Sequence, residues 1–269
     1  MREVTTAELA AAELAEAAFG AHPGRWPLPA ADTAEQLWLR AVAAAGQGRY
    51  GSALTDLDRV RRLTADSRLA SLAASTRGSF WRQLGWHDRA RGHDGRAWAL
   101  SRGFGEAGAD ALIGLAADAL GVGRFAASQR ALTRAGQVVD DVGVPRLAVR
   151  LAWVRAELAM VRGDGAGALA SARRACELAE PLGSVRHRIK SDVVLAAAHC
   201  SAGDLDSARR VGSAALTATQ QHALLPLSWA AASLLADIGS DTWTKAQVVA
   251  VRDSAAAAVI RWGGVWRSR

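Results

Sequence analysis

Small residues recur along the chain at fixed distances from five glycines. The glycines are Gly48, Gly85, Gly123, Gly163 and Gly203, at intervals of 37, 38, 40 and 40 residues. Small side chains are needed where two helices cross closely, because a bulky one would hold the backbones apart. The pattern therefore predicts stacked helical hairpins, each with its turn at a glycine. The small or nearly small positions lie seven residues before, five after and twelve after each glycine: Ala41, Gly78, Ala116, Ala156, Ala196; Ala53, Ala90, Ser128, Ala168, Ala208; Val60, Ala97, Ala135, Ala175, Ala215.

This pattern resembles the tetratricopeptide repeat, a helical hairpin with small residues at its crossing points and a Gly-x-aromatic turn. The turn aromatic is present as Tyr50 and Phe125, is replaced by His87 and Leu205, and is missing at Gly165. The resemblance covers roughly residues 32–220, with a longer spacing than the family's. It implies an all-α fold: a right-handed α-α superhelix (solenoid) of about five such hairpins, with capping helices at both ends. Another α-α solenoid or bundle is the alternative.

Interruptions of the helical pattern divide the chain into three parts. Residues 1–31 hold a helix that starts at a Thr5-x-x-Glu8 capping box, followed by a proline-rich linker around Trp26. Residues 32–222 hold the repeats. Residues 223–269 hold two closing helices, predicted over Leu227–Asp237 and Thr242–Trp262, and a basic-aromatic tail.

Both ends leave alternatives open. A solenoid exposes the apolar face of its first hairpin, so we expect the first helix to cap that face and Trp26 to dock near Trp38. The competing interpretation is a detached arm that engages a second protein. The tail after Arg261 either docks on the body or reaches a partner.

Composition fits one soluble, helical body. Half of the 269 residues are hydrophobic and the mean hydropathy is +0.04, so the chain can bury a continuous core. No apolar run reaches the roughly 18 residues of a membrane span, and the N-terminus lacks an export-signal pattern. We expect a cytoplasmic protein with no membrane partner. Cys176 and Cys200 are too few for a disulfide framework or a zinc site; two reduced thiols are expected, and a bridge between them is the alternative.

The net charge of +7 is almost entirely due to arginine. A positive balance indicates a nucleic-acid partner only where the charge is clustered. The best candidate cluster is residues 81–102, in which arginines alternate with Trp81, Trp86 and Trp98, so that charge for phosphates stands beside flat faces for stacking. The competing interpretation is that the tryptophans pack between helices while the arginines form a solvated face, since Asp88 and Asp94 are interspersed.

The motifs that could indicate catalysis or cofactor binding lack the neighbouring elements and residues that such sites need. Gly103–Gly108 fits G-x-G-x-x-G, but the strand that must precede a dinucleotide loop is missing. His187 and His199 lack the companions of a metal site. No nucleophile elbow or Walker sequence occurs. We therefore predict no enzymatic activity, no catalytic residues, no cofactor and no metal.

The concave face of the superhelix is the candidate binding surface. The resemblance implies that this face carries the residues thirteen, ten, six and three positions before each turn glycine. Its apolar walls suit an amphipathic helix or an extended apolar segment, although Trp38 and Trp153 have the alternative role of filling contacts between helices. The residues predicted to bind a partner are Trp38, Arg82, Ile113, Leu120, Arg150, Trp153, Glu157, Met160 and Lys190.

The predicted function follows from this surface. We predict a non-enzymatic protein-binding scaffold or adaptor that recognises a protein or peptide segment in the concave groove. The alternative is a regulator that contacts nucleic acid, or acts beside a DNA-binding protein, through residues 81–102. A third possibility, the sensor half of a peptide- or ligand-controlled regulator, uses the same groove.

Overall fold

The computed structural model describes residues 6–267, with side chains from residue 8 onward, and the regular secondary structure within this range is all helical. The capping box predicted at Thr5 and the tail residues Ser268 and Arg269 lie outside the described residues. A short 3-10 turn over Glu180–Leu182 follows α9. The α-helices are α1 (Thr6–Phe19), α2 (Ala34–Gly46), α3 (Tyr50–Leu63), α4 (Ser67–Gln83), α5 (His87–Ser101), α6 (Gly105–Gly121), α7 (Phe125–Val142), α8 (Pro145–Val161), α9 (Gly165–Ala179), α10 (Val185–Ser201), α11 (Leu205–Gln221), α12 (Leu225–Ile238) and α13 (Lys245–Arg261).

Consecutive helices from α2 to α13 pair as six antiparallel hairpins. The first helices of the hairpins (α2, α4, α6, α8, α10 and α12) also contact one another in sequence and form the inner layer. The second helices form the outer layer. This arrangement confirms the predicted all-α solenoid of five repeat hairpins with capping helices, the sixth hairpin being the C-terminal cap.

The turns and crossing points follow the predicted register. All five turn glycines adopt the left-handed conformation, with φ between +73° and +89°, which side chains with a Cβ rarely tolerate. All fifteen small positions are buried. The spacing of small residues therefore predicted both the turn positions and the faces that pack.

The C-terminal part of the chain returns to the first two hairpins, so the superhelix closes into a ring. The Gly51 N–H donates to the Trp262 carbonyl (2.8 Å), and the Arg267 N–H donates to the Leu84 carbonyl (2.9 Å). Between them, the Trp86 indole N–H donates to the Val265 carbonyl (2.7 Å). The tail thus docks on the body as far as residue 267.

The N-terminal helix α1 is packed against the body as a cap. Its apolar face is buried against α2, and the Val185 N–H at the start of α10 donates to the Gly20 carbonyl (3.1 Å). The aromatic that packs on Trp38 is Phe19, with ring centroids 5.6 Å apart. The expectation that Trp26 docks near Trp38 is therefore wrong. The Arg49 guanidinium instead lies over the Trp26 ring, 3.7 Å from the ring centroid.

Two further predictions concern membranes and thiols. Over residues 6–267, the helices are too short or too polar to cross a bilayer. Cys176 and Cys200 are both free and partly buried, as predicted for two reduced thiols.

Candidate functional site

The inner helices surround a cavity of about 360 Å³ at the centre of the ring, here called the central cavity. Its wall is built by α2, α4, α6, α8, α10 and α12, and Phe19 at the end of α1 contributes as well. The groove expected from the sequence is narrowed to this cavity, because Phe19 of α1 and Trp229 of α12 also line it. Seven of the nine residues predicted to bind a partner line it: Arg82, Ile113, Leu120, Arg150, Trp153, Glu157 and Lys190.

Trp38 and Met160 lie outside this lining. Trp38 is buried between α2 and α4, and its indole N–H donates to the Thr76 hydroxyl (3.0 Å). It therefore fills a contact between helices, as its alternative interpretation stated. Met160 packs with the apolar cluster around Ala156.

Trp153 forms a rigid aromatic part of the wall. Its indole N–H donates to the Ser191 hydroxyl (2.9 Å), and its ring stacks on His187 at 5.4 Å between centroids. The Lys190 ammonium lies 4.9 Å from the ring centroid. Burial, reinforced by nearby Arg186, holds the pKa of His187 well below its usual value, so this imidazole is neutral at neutral pH. Trp153 and His187 together offer a flat, uncharged surface.

Four cations stand beside that surface, at two matching positions on neighbouring helices. Arg146 and Arg150 lie one turn apart on α8, and Arg186 and Lys190 lie one turn apart on α10. We call these four residues the cationic wall.

Three members of the cationic wall face carboxylates. Arg146 pairs with Glu106 at 2.5 Å, Arg150 with Asp110 at 2.5 Å, and Lys190 stands 4.0 Å from Glu157. Within residues 8–267, the Arg186 guanidinium has neither an ion pair nor a hydrogen bond. One positive charge in the central cavity is thus left without an acidic partner.

Arg82 also lines the cavity, but its charge is neutralised. Its guanidinium contacts the carboxylates of both Asp94 and Asp118, the latter at 3.0 Å. Burial and the neighbouring Asp94 raise the pKa of Asp118 to about 8 against the pull of Arg82, so the two carboxyls share one proton at neutral pH. The trio is therefore close to electrically neutral and ties α4, α5 and α6 together.

Arg146 and Arg186 were not among the predicted residues, although the sequence carries a signal for them. Both lie seventeen residues before their turn glycines, Gly163 and Gly203. That is one helical turn beyond the thirteenth position, on the same helix face. Phe19 and Trp229 carry no such signal, because their helices lie outside the repeat pattern.

The tryptophans of residues 81–102 are engaged by the protein's own side chains. The Arg89 guanidinium lies 4.2 Å from a Trp86 ring centroid, and Arg134 lies 4.6 Å from that of Trp98. Arg82 and Asp94 of the same stretch form ion pairs within the buried cluster of Arg82, Asp94 and Asp118. This packing supports the interpretation that the stretch is structural.

Two motifs considered in the sequence have the following places in the structure. The Gly103–Gly108 segment connects α5 to α6, so a helix, and not a strand, precedes it. Among the described side chains, no group of three or more His, Cys, Asp or Glu residues is arranged to hold a metal ion.

Comparison with known proteins yields a match at the level of structure. No protein-family model and no curated protein sequence matches the chain. Among solved structures, it is similar to a Rap protein complexed with competence and sporulation factor, with a TM-score of 0.62 and 14% sequence identity. The match covers 85% of this chain and 64% of that one, so the chain spans less than two thirds of the neighbour's length. The chain has the fold of a tetratricopeptide-like helical repeat protein.

Proposed function

We propose that this protein is a non-enzymatic binding protein that holds a short, extended peptide segment in its central cavity. The observation that carries the proposal is the cavity itself, which lies between the inner helices and is lined by both apolar and charged side chains. Ligand sites in proteins typically span about 300–1,000 Å³ and combine apolar walls with a few polar groups. The structural neighbour was solved with a bound factor, which supports a binding role for this fold.

The occupant is extended and not helical. An α-helix with its side chains is about 10 Å across. An extended chain is narrower, and a few residues of it match a cavity of about 360 Å³ better than a helix does. The apolar contacts available to them are Ile113, Leu120 and the Trp153 ring.

The alternative function, contact with nucleic acid through residues 81–102, stays a prediction. It is less well supported, because Trp86 and Trp98 already contact arginines of the same chain. The predicted cytoplasmic location also stays a prediction.

The proposal is tested by filling the cavity. Ala117 lines it on α6, whereas Ala126 is exposed on α7. The purified protein, Ala117→Phe and the control Ala126→Phe are each incubated with a peptide-sized fraction of an extract of the source cells, and the retained molecules are identified by mass spectrometry. The wild type and Ala126→Phe should retain the same peptides, and Ala117→Phe should lose them.

Two results contradict the proposal. One is identical retention by all three proteins, which would place binding outside the cavity. The other is retention of nucleic acid alone from whole extract, abolished by nuclease, which would favour the alternative function.

A further inference from the structure

We infer that the occupant of the central cavity carries an acidic group that binds Arg186, so that the fifth repeat is an anion-recognition site. The inference rests on the proposed function for its peptide occupant. The shared chemistry is a carboxylate, which a peptide supplies either at its C-terminus or on an Asp or Glu side chain.

Arg186 interrupts a series of alternating charges along the inner helices. The residues seventeen positions before the turn glycines of repeats two to five are Arg68, Glu106, Arg146 and Arg186. Glu106 pairs with Arg68 (2.9 Å) on one side and with Arg146 (2.5 Å) on the other. Signs alternate through the fourth repeat. At the fifth repeat, alternation would require an acidic residue, but the chain has Arg186 there. Within the described residues, no acidic side chain lies between Arg146 and Arg186 to pair with both, as Glu106 does for Arg68 and Arg146.

The acidic residues near Arg186 are already paired with other cations. Of the carboxylates around the cationic wall, Glu106 is shared between two arginines, Asp110 binds Arg150, and Glu157 faces Lys190. Four cations thus share three carboxylates, one of which also serves Arg68. The charge that is missing is a single negative one.

Arg186 is held in place by its packing without being neutralised. Its side chain crosses Gly46 at the end of α2: a Cβ built on Gly46 would lie 3.2 Å from its Cδ and 3.3 Å from its Nη1. The carbonyl end of α2 supplies only a partial negative field. Arg186 also stands in the first turn of its own helix, where the partial charge is positive. Burial, together with repulsion by Arg150 and Arg146, lowers the pKa of Arg186 to about 10.

A position of this kind is unfavourable for stability and suited to recognition. A partly buried charge without an acidic partner destabilises a fold. A guanidinium offers five N–H donors in a planar fork that matches a carboxylate, and such charge-assisted bonds are stronger than neutral ones. Trp153 and His187 lie beside it, so the acidic group is attached to an apolar chain that covers them.

The test uses the full chain and three sets of N-acetylated pentapeptides composed of Leu, Val, Ala and Phe. The sets end in a free carboxylate, in an amide, or in an amide with one residue replaced by Glu. Wild type, Arg186→Gln, Arg186→Lys and the control Arg188→Gln are compared. Arg188 is exposed on the same helix. Circular dichroism establishes that each variant is folded, and mass spectrometry measures the ratio of acidic to neutral peptide retained.

Wild type and Arg188→Gln should retain one acidic set over the neutral set by about tenfold or more, as expected for hydrogen bonds to a charged group. Arg186→Gln should bring this ratio to about one, and Arg186→Lys should keep part of it. Which acidic set is preferred distinguishes a terminal from a side-chain carboxylate. Equal retention of neutral peptides, or a preference that survives in Arg186→Gln, overturns the inference while the proposed function stands.

If no pentapeptide is retained, octanoate and octanamide decide the question. Octanoate that raises the melting temperature of wild type, but not of Arg186→Gln, supports the acidic-group inference and overturns the peptide as occupant. If octanoate acts no differently from octanamide, both the inference and the proposed function are wrong.

Discussion

Replacing Arg186 with glutamine should make the ligand-free protein more stable, although the residue is largely enclosed by the fold. The pKa of Arg186 falls from 12.5 to about 10 in the folded state. The folded protein therefore binds this proton less tightly than the unfolded chain does. The resulting destabilisation is fully present at pH 7, and it is relieved only as the pH rises from about 10 towards 12.5.

The magnitude follows from the same shift. Each pKa unit corresponds to about 1.4 kcal/mol, so the charged side chain destabilises the folded state by on the order of 3 kcal/mol. Glutamine recovers part of this, because its amide is also removed from water and the contact of the arginine stem with Gly46 is lost. We expect a gain of about 1–3 kcal/mol, which corresponds to a rise in melting temperature of roughly 2–8 °C for a chain of this size.

The assay is urea unfolding at pH 7, followed by circular dichroism, on protein that has been unfolded and refolded to remove copurified ligand. Arg146→Gln is the matched comparison, because Arg146 occupies the equivalent position of the preceding repeat and pairs with Glu106. That variant should lose about 1–3 kcal/mol, since it leaves a partly buried carboxylate with fewer partners. If Arg186→Gln is destabilised as much as Arg146→Gln, Arg186 has a stabilising role and the reasoning is wrong.

Three further predictions concern the packing of the repeats. Because the pKa of Asp118 is raised from 3.8 to about 8, the wild-type free energy of unfolding should fall as the pH rises between these values; Asp118→Asn should flatten this slope in urea titrations, and an unchanged slope would contradict the shared proton. Gly114→Ala should lower the melting temperature, with a loss of about 1–3 kcal/mol that exceeds the gain in helix propensity, because a Cβ there would overlap the Asp94 carboxylate; an unchanged melting temperature would contradict this packing. Ala156→Leu, at a fully buried crossing point, should cost about 1–3 kcal/mol in the same assay, whereas Ala170→Leu on the exposed face of α9 should be neutral, and equal effects would refute the repeat register.

The hairpins could be predicted from sequence because their signals are local. A left-handed turn at Gly163 and a close crossing at Ala156 each restrict the residue type at one position, and the restriction repeats at a fixed spacing. Closure of the ring could not be predicted in this way. It depends on the small rotation between successive hairpins summed over the whole chain, and no single residue encodes that sum.

Only part of the candidate site could be predicted from the sequence, because the site also depends on helices outside the repeat pattern. Trp38 and Trp153 occupy equivalent positions, ten residues before their turn glycines. Phe19 covers the first, while the second lines the central cavity. The course of α1 decides between the two outcomes, and α1 lies outside the repeat pattern. Arg186 was missed because the face predicted from the repeat ended one turn short of it.

The linker after α1 and the end of α13 meet at Arg49, whose guanidinium lies 3.7 Å from the Trp26 ring centroid and 4.0 Å from that of Trp262. An open solenoid gains or loses repeats without disturbing those that remain, because each repeat contacts only its neighbours. In this protein an added or deleted hairpin would separate Trp262 from Arg49 and leave the ring unclosed. Duplication or deletion of a whole repeat would therefore disrupt the closed ring, so the binding surface of this protein diversifies by substitution within a fixed number of hairpins.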